Sequence, residues 1–271
     1  MSFERMGHGP LNYDLVSFEG TALGFRGPKP DLDAPFILCI GGSETFGKFA
    51  AAPFSAQLAE MTGRQVVNMG AMNAGLELVL HDAAVQDMMA RAELVVFQIM
   101  GAQNMTNRFY TVHPRRNDRF LKASTLLQTI YRNVDFTEFH FTRHMLTTLL
   151  KASPDRFEIV TDELQAAWLG RMKGVLAQIE CPTHLLWMGQ RDPQELPEEG
   201  VLGADPLFVT KDMLDQVTAL ASSLSICVAS EQERNAPTKG MFFPPREEAA
   251  ARILPCPQMH RRAAEAIAKN L

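Results

Sequence analysis

The sequence predicts a doubly wound α/β fold: a mainly parallel five-stranded sheet covered by helices on both faces, with a helical insertion between the third and fourth strands. Three observations carry this expectation. The runs "FILCIG" (36–41), "QVVNMG" (65–70) and "ELVVFQIMG" (93–101) are nearly continuous in apolar residues, as strands buried on both faces are. Each run ends in glycine, and amphipathic helical patterns alternate with the runs. The 271 residues, 46% hydrophobic and 21% charged, suffice for one sizeable core, so a single domain spanning 1–271 is expected.

Taken in order, residues 1–34 hold several Gly and Pro, end in "FRGPKPDLDAP" and show no sustained periodicity, which predicts an irregular N-terminal arm. After the first strand and its glycine turn comes a helix over 52–62, ended by Gly63. The second strand is followed by "LELVLHDAAVQDMMAR" (76–91), apolar at roughly 3.6-residue spacing. After the third strand, residues 105–180 are too long for one crossover and read as a helical insertion or lid, with a helical stretch from 121 to 180 interrupted near Pro154. Its apolar positions Leu126, Leu127, Leu146, Leu149 and Leu150 are expected to cover the pocket or a partner surface, which is compatible with a homo-oligomer. The runs "THLLWMG" (183–189) and "LSICVAS" (224–230) complete the sheet, and a last helix follows "LPCPQMH".

A net charge of −5 gives no global footprint for nucleic acid, so a nucleic-acid partner is not expected. The N-terminus lacks a charged-then-apolar leader pattern and no apolar run approaches the roughly 18 residues of a membrane span. A cytoplasmic, reduced protein without a membrane partner is the expectation. Cys39, Cys181, Cys227 and Cys256 show no C-x-x-C spacing, and His140 and His144, although four residues apart, lack the Glu of an H-E-x-x-H motif, so no metal is expected. "GGSETFG" is not G-x-G-x-x-G, and no other cofactor pattern is present.

In doubly wound sheets ligands sit outside the carboxyl ends of the strands, which selects four loops. The first contains Gly41-Gly42-Ser43-Glu44-Thr45, where Ser43 reads either as a nucleophile beside a helix N-terminus or, with Thr45, as the cap of that helix. In the second, Gly70 lets a backbone N–H approach a reacting oxygen, or makes a plain turn. In the third, Asn104 can donate to a developing oxyanion or cap a loop, and the basic run His113, Arg115, Arg116 and Arg119 is either a solvated loop or a clamp for an anionic group. In the last, Pro255 and Pro257 pin the approach to His260, a candidate general base.

Together and in this order, Ser43 in "GGSETFG", Gly70 in "NMGAMNAG", Asn104 in "GAQN" and His260 in "CPQMH" resemble the four blocks of the SGNH (GDSL-like) hydrolases. The resemblance covers the α/β core and implies a flavodoxin-like sheet and a serine esterase: His260 takes the Ser43 proton, Ser43 attacks an ester carbonyl, and the Ser43 and Gly70 N–H groups with the Asn104 amide hold the oxyanion. A small-molecule or carbohydrate ester is the implied substrate, with deacetylation of a sugar or of a small anionic molecule among the implied reactions. The sequence departs from the family at Gly42, Glu44 and Pro257, the last standing where the family has the Asp of D-x-x-H. The expectation is therefore a Ser43–His260 dyad oriented by backbone, with Asp192 in "MGQRDP" as the alternative third member. The departures also favour a catalytically silent module binding an anionic sugar, and an acyl- or sulfo-group transferase of polysaccharide modification is a further alternative.

Overall fold

The structure, a computed structural model, describes residues 11–271. Along the chain come β1 (Phe36–Gly41), α1 (Ser43–Phe46), α2 (Phe54–Thr62), β2 (Gln65–Gly70), α3 (Leu76–His81), α4 (Ala83–Arg91), β3 (Leu94–Gln98), β4 (Tyr110–His113) and β5 (Arg116–Ala123). They are followed by α5 (Thr125–Ile130), α6 (Thr142–Ala152), α7 (Pro154–Leu176), β6 (Thr183–Gly189), α8 (Lys211–Thr218), β7 (Ser223–Val228), α9 (Glu231–Asn235), α10 (Glu248–Ala251) and α11 (Pro257–Ala268).

Five of these strands form one sheet in the order β2-β1-β3-β6-β7, every neighbouring pair parallel. The fold is thus α/β and doubly wound, with the flavodoxin-like reversal of strand order beside β1 and β3. Successive side chains of a strand face opposite ways, and the core divides accordingly. Ile37, Cys39, Val96, Leu186 and Met188 meet Phe54 and Leu58 of α2 and Met259, Ala263 and Ile267 of α11. Leu38, Ile40, Val95, Phe97 and Leu185 meet the other layer, which includes Val79 and Val85 from α3 and α4 and Trp168 and Met172 from α7. The whole of β1 is buried, which is why its run tolerates no alternation.

Residues 1–10 of the expected arm lie outside the described residues. Over 11–34 the chain makes one bridge, Val16 with Phe25, and plants Arg26 in the domain, where its guanidinium donates to the carbonyls of Gly47 at 2.7 Å and Ala51 at 2.6 Å.

Four boundaries differ from the sequence expectation, each for a local reason. The segment 76–91 is two helices, because Asp82 leaves helical geometry and its carboxylate accepts from Ala84 N at 3.1 Å and Val85 N at 3.2 Å, capping α4. Residues 105–180 are not helical throughout: β4 and β5 pair as an antiparallel hairpin with shifted register, so the basic run lies on a hairpin. Ser153 caps α7 and Pro154 occupies its first turn, so this proline starts a helix. The indole of Trp168 donates to Met100 O at 2.8 Å, and α7 thereby belongs to the layer over the sheet. Leu127, Leu146 and Leu149 are buried in that same core, whereas Leu126 is exposed. Finally, Pro257 opens α11, which draws His260 out of the preceding loop and into the first helical turn.

Candidate active site

The switch point beside β1 and β3 is organised by a residue that sequence reasoning passed over. Gln98, at the end of β3, accepts from Gly42 N at 2.9 Å, Thr45 N at 3.2 Å and Thr45 Oγ1 at 2.6 Å, and donates to Glu44 at 2.9 Å. It supplies the acceptor that a capping side chain would otherwise provide to the free N–H groups of α1. Neither Ser43 nor Thr45 caps this helix: the cap position is Gly42, and Ser43 is the first helical residue. The Ser43 hydroxyl instead accepts from Asn73 N at 2.9 Å and approaches Asn73 Oδ1 at 3.5 Å.

Gly70 has a different function from the one expected. A Cβ on it would lie 2.2 Å from Phe46 N and 2.6 Å from Thr45 C, so glycine is what lets α1 rest on the end of β2. Its own N–H donates to Asn68 Oδ1 at 2.9 Å and is not free for an oxyanion. The N–H aimed at Ser43 belongs to Asn73, held in the left-handed region at φ 60°, a conformation asparagine tolerates better than most residues.

Ser43, Asn73 and Asn104 line one small chamber of about 140 Å³ together with Gln103, Asp118 and Asp205. Asn104 is pressed against Gly75, where a Cβ would meet its carbonyl oxygen at 2.2 Å. Its Oδ1 accepts from Thr142 Oγ1 at 2.8 Å, which orients the amide and leaves Nδ2 without an acceptor among the described residues. Gln103 Nε2 donates to Asp205 at 2.9 Å, and Asp205 also pairs with Arg143 at 2.9 Å. Two carboxyls at the chamber are pushed above the ordinary range by burial: Glu44, opposed by the Gln98 hydrogen bond, and Asp118, opposed by the Arg119, Arg116 and His113 charges. Asp118 Oδ1 is buried without a partner among the described residues.

His260 is not at this chamber. It is fully buried in the layer between α2 and α11, its ring stacked on Phe54 and its Nδ1 accepting from Phe54 N at 3.2 Å. No hydrogen bond joins it to Ser43 among the described residues, and its Nε2 is buried without a partner. Burial first, and the Arg26 charge second, depress its pKa to about 3, so it is neutral at physiological pH. The expected Ser43–His260 dyad is therefore corrected. The cause is the early start of α11 at Pro257, and the preceding segment reaches the chamber with Ile253 and Leu254 instead. Asp192 also stays away, accepting from Gln194 N at 2.9 Å in a turn.

The basic run fares differently. His113, Arg115, Arg116 and Arg119 all line a second, open cleft of about 1330 Å³. Lys48 and Arg246, from distant parts of the chain, line it too, as do His140 and Asn73, so that Asn73 borders both chamber and cleft. His144 lies edge-on against Phe139, and the described residues contain no group of three or more His, Cys, Asp or Glu that could hold a metal ion. No described helix is long and apolar enough to cross a membrane.

A family profile described as "Domain of unknown function (DUF6473)" matches residues 1–271. The chain belongs to the DUF6473 family. No curated protein matches it. Among solved structures, this DUF6473 member is similar to a lipase from a goat rumen metagenome, at 13% identity and a TM-score of 0.45, covering 88% of this chain and 97% of that one. It is also similar to a family two carbohydrate esterase from Clostridium thermocellum in complex with cellohexaose, at 11% identity and TM-score 0.44, covering 91% of this chain and 66% of the other. An acetylxylan esterase from Geobacillus stearothermophilus matches at 14% identity and TM-score 0.40, over 87% of this chain and 93% of that one.

Proposed function

We propose that the chain cleaves a small acyl ester at Ser43, with Asp118 rather than His260 handling the proton. The observation that supports this most is the Ser43 hydroxyl at a strand-end turn, receiving the Asn73 N–H at 2.9 Å and opening on a polar chamber of about 140 Å³. That volume is below the roughly 300–1,000 Å³ of pockets for drug-sized ligands and suits a short acyl group such as acetyl. In this reading Ser43 Oγ attacks the ester carbonyl while the Asp118 carboxylate, made more basic by burial, takes the hydroxyl proton. The oxyanion accepts from the Ser43 N–H and from Asn104 Nδ2, neither of which has an acceptor among the described residues, while the Asn73 N–H holds Ser43 Oγ. Asp118 returns the proton to the leaving alkoxide; it then takes a proton from the water that attacks the acyl-Ser43 carbonyl and delivers it to Ser43 Oγ as the acid departs.

A fluorophosphonate probe and p-nitrophenyl acetate test the reading directly. The expected result is one adduct on the Ser43 peptide, absent in Ser43→Ala, and turnover lowered by about 10²–10⁴-fold in Asp118→Asn. A parent protein that is neither labelled nor active would overturn it. One observation favours a second reading, a silent module that binds an anionic ligand: the only imidazole that the four sequence blocks supply is buried with its lone pair taken by Phe54 N. Ligand binding by an unlabelled protein would establish that reading.

A further inference from the structure

We infer that the open cleft beside Ser43 binds an oligosaccharide carrying several oxyanions, carboxylate or sulfate, and that the ester presented to Ser43 is a substituent of that acidic saccharide. The second half rests on the reading of Ser43 above; the ligand class of the cleft does not.

The charge in the cleft is one-sided. Among the described residues Lys48, Arg115, Arg116, Arg119 and Arg246 line it, against the single carboxylate of Glu247. Elsewhere the arginines of this chain are mostly matched: Arg64 with Glu93, Arg108 with Glu163, Arg171 with Glu77 and Arg262 with Glu233. Among the described residues only Lys48 of the cleft cations has an ion pair, with Glu247 at 3.3 Å, while the Arg116 and Arg119 charges also act on Asp118 in the adjoining chamber. Arg119 lies over the Phe141 ring at 4.6 Å, and Arg115, Arg116 and Arg246 have no ion pair among the described residues. Concentrating unpaired guanidiniums on one wall is electrostatically unfavourable in the empty protein and is relieved by a ligand with several negative groups, which the planar forks grip two oxygens at a time.

The spacing of the charges is imposed by the fold. Arg115 and Arg116 form the tip of the β4–β5 hairpin, and the His113 ring fixes that tip by accepting from the N–H groups of both at 3.2 Å. Arg246 comes from the segment before α10 and Lys48 from the turn after α1. Lining one cleft from three separate segments, these groups can be met together by an extended chain. The volume of about 1330 Å³ exceeds the usual range for one small ligand.

Single-stranded nucleic acid would need aromatic planes on which bases stack. Phe49 and Phe120 are buried at 2% and 5% exposure, the Tyr13 ring is taken by Arg26 and Phe46, and the half-buried Phe242 alone cannot stack successive bases. The cleft instead offers Asn73, His113 and His140 to hydroxyl groups, and the exposed side chains of Leu15, Met72 and Leu121 to the C–H faces of sugar rings. Because Asn73 borders both compartments, a saccharide in the cleft can direct one ester-bearing oxygen past it to Ser43.

Calorimetric titration of the full chain with tetragalacturonate, a heparin-derived tetrasaccharide, cellotetraose and an octathymidylate tests this. At least one acidic tetrasaccharide should bind, more weakly at about 0.3 M than at about 0.05 M salt. Tetragalacturonate carries carboxylates alone, so its binding shows that carboxylate suffices, whereas binding of the heparin tetrasaccharide alone shows that sulfate is required. The Arg115→Ala/Arg116→Ala double variant should raise its Kd at least about tenfold, and Arg246→Ala, on another segment, should raise it as well. Lys211→Ala, which removes a cation paired with Asp215 outside the cleft, should not. The inference is overturned by no binding of either acidic saccharide, by equal affinity for cellotetraose, by tighter binding of the oligonucleotide, or by unaltered Kd in the arginine variants. Fluorophosphonate labelling separates the two readings: an unlabelled protein that binds the acidic saccharide loses the ester chemistry and keeps the cleft assignment, and a labelled protein that ignores both saccharides does the reverse.

Discussion

His260→Asn separates a packing histidine from a catalytic one through the pH dependence of stability. The folded protein holds His260 neutral down to about pH 3, while the unfolded chain takes up a proton near the ordinary value of 6.5. Between those values the unfolded state binds more protons, so stability rises with pH and is lost on acidification. One such group gives a slope approaching about 1.4 kcal/mol per pH unit, or a loss of about 2 kcal/mol between neutrality and about pH 5. His184, buried beside Ser223 at 2.6 Å with its pKa lowered by burial to about 4, adds a similar loss over the same interval. The parent should therefore lose about 4 kcal/mol from these two rings, and His260→Asn, which keeps an acceptor near Phe54 N, only about 2 kcal/mol. Urea unfolding at about pH 7.5 and about pH 5 measures both, and titrating carboxylates common to parent and variant cancel in the comparison. The reasoning is refuted if the variant loses as much as the parent. It is refuted equally if the folded variant no longer reacts at Ser43, for that would put the imidazole back into the chemistry.

Further outcomes follow from close contacts in the core of the site. Gly70→Ala forces a Cβ to 2.2 Å from the Phe46 backbone, which cannot rotate away, so a stability loss of at least about 3 kcal/mol in urea unfolding is expected, together with loss of Ser43 labelling. Asn73→Val puts a β-branched residue at φ 60° and should cost about 1–2 kcal/mol, whereas Asn73→Gly keeps both the conformation and the N–H donated to Ser43. Glu77→Ala removes the buried carboxylate that accepts from Thr106 N and pairs with Arg171, and thermal unfolding should show a loss of about 3 kcal/mol.

The five strands of the sheet were legible because strands buried on both faces are spelled by nearly unbroken apolar runs, and "FILCIG" and "THLLWMG" are buried almost throughout. The hairpin at 110–123 was not, because "RNDRFLKA" alternates irregularly around a shifted register and carries more polar than apolar side chains. Pro154 reads as an interruption and Pro257 as pinning a loop before the last helix, yet both are helix starts, which only the preceding residue's extended geometry reveals. That single ambiguity misplaced His260. Of the site, Ser43 and Asn104 could be found from their place at strand ends. Gln98 could not, since a lone polar residue in "LVVFQ" carries no motif, although its very presence in an apolar strand is the available signal. Asn73 was overlooked in favour of neighbouring glycines, yet asparagine is the side chain that a left-handed residue most readily keeps. The basic run was visible, but its union with Lys48 and Arg246 depends on tertiary structure alone.

The one-sided cleft belongs to a chain whose net charge is −5, so the residues outside it together carry more negative charge than the total suggests. A polyanion arriving by diffusion is turned away from most approaches and drawn toward one mouth. Encounter rates should then fall as ionic strength rises, while a neutral ester of the same size arrives from all directions at a rate that salt leaves unchanged. Long-range attraction would thus already sort ligands by charge before any contact with the arginine forks is made.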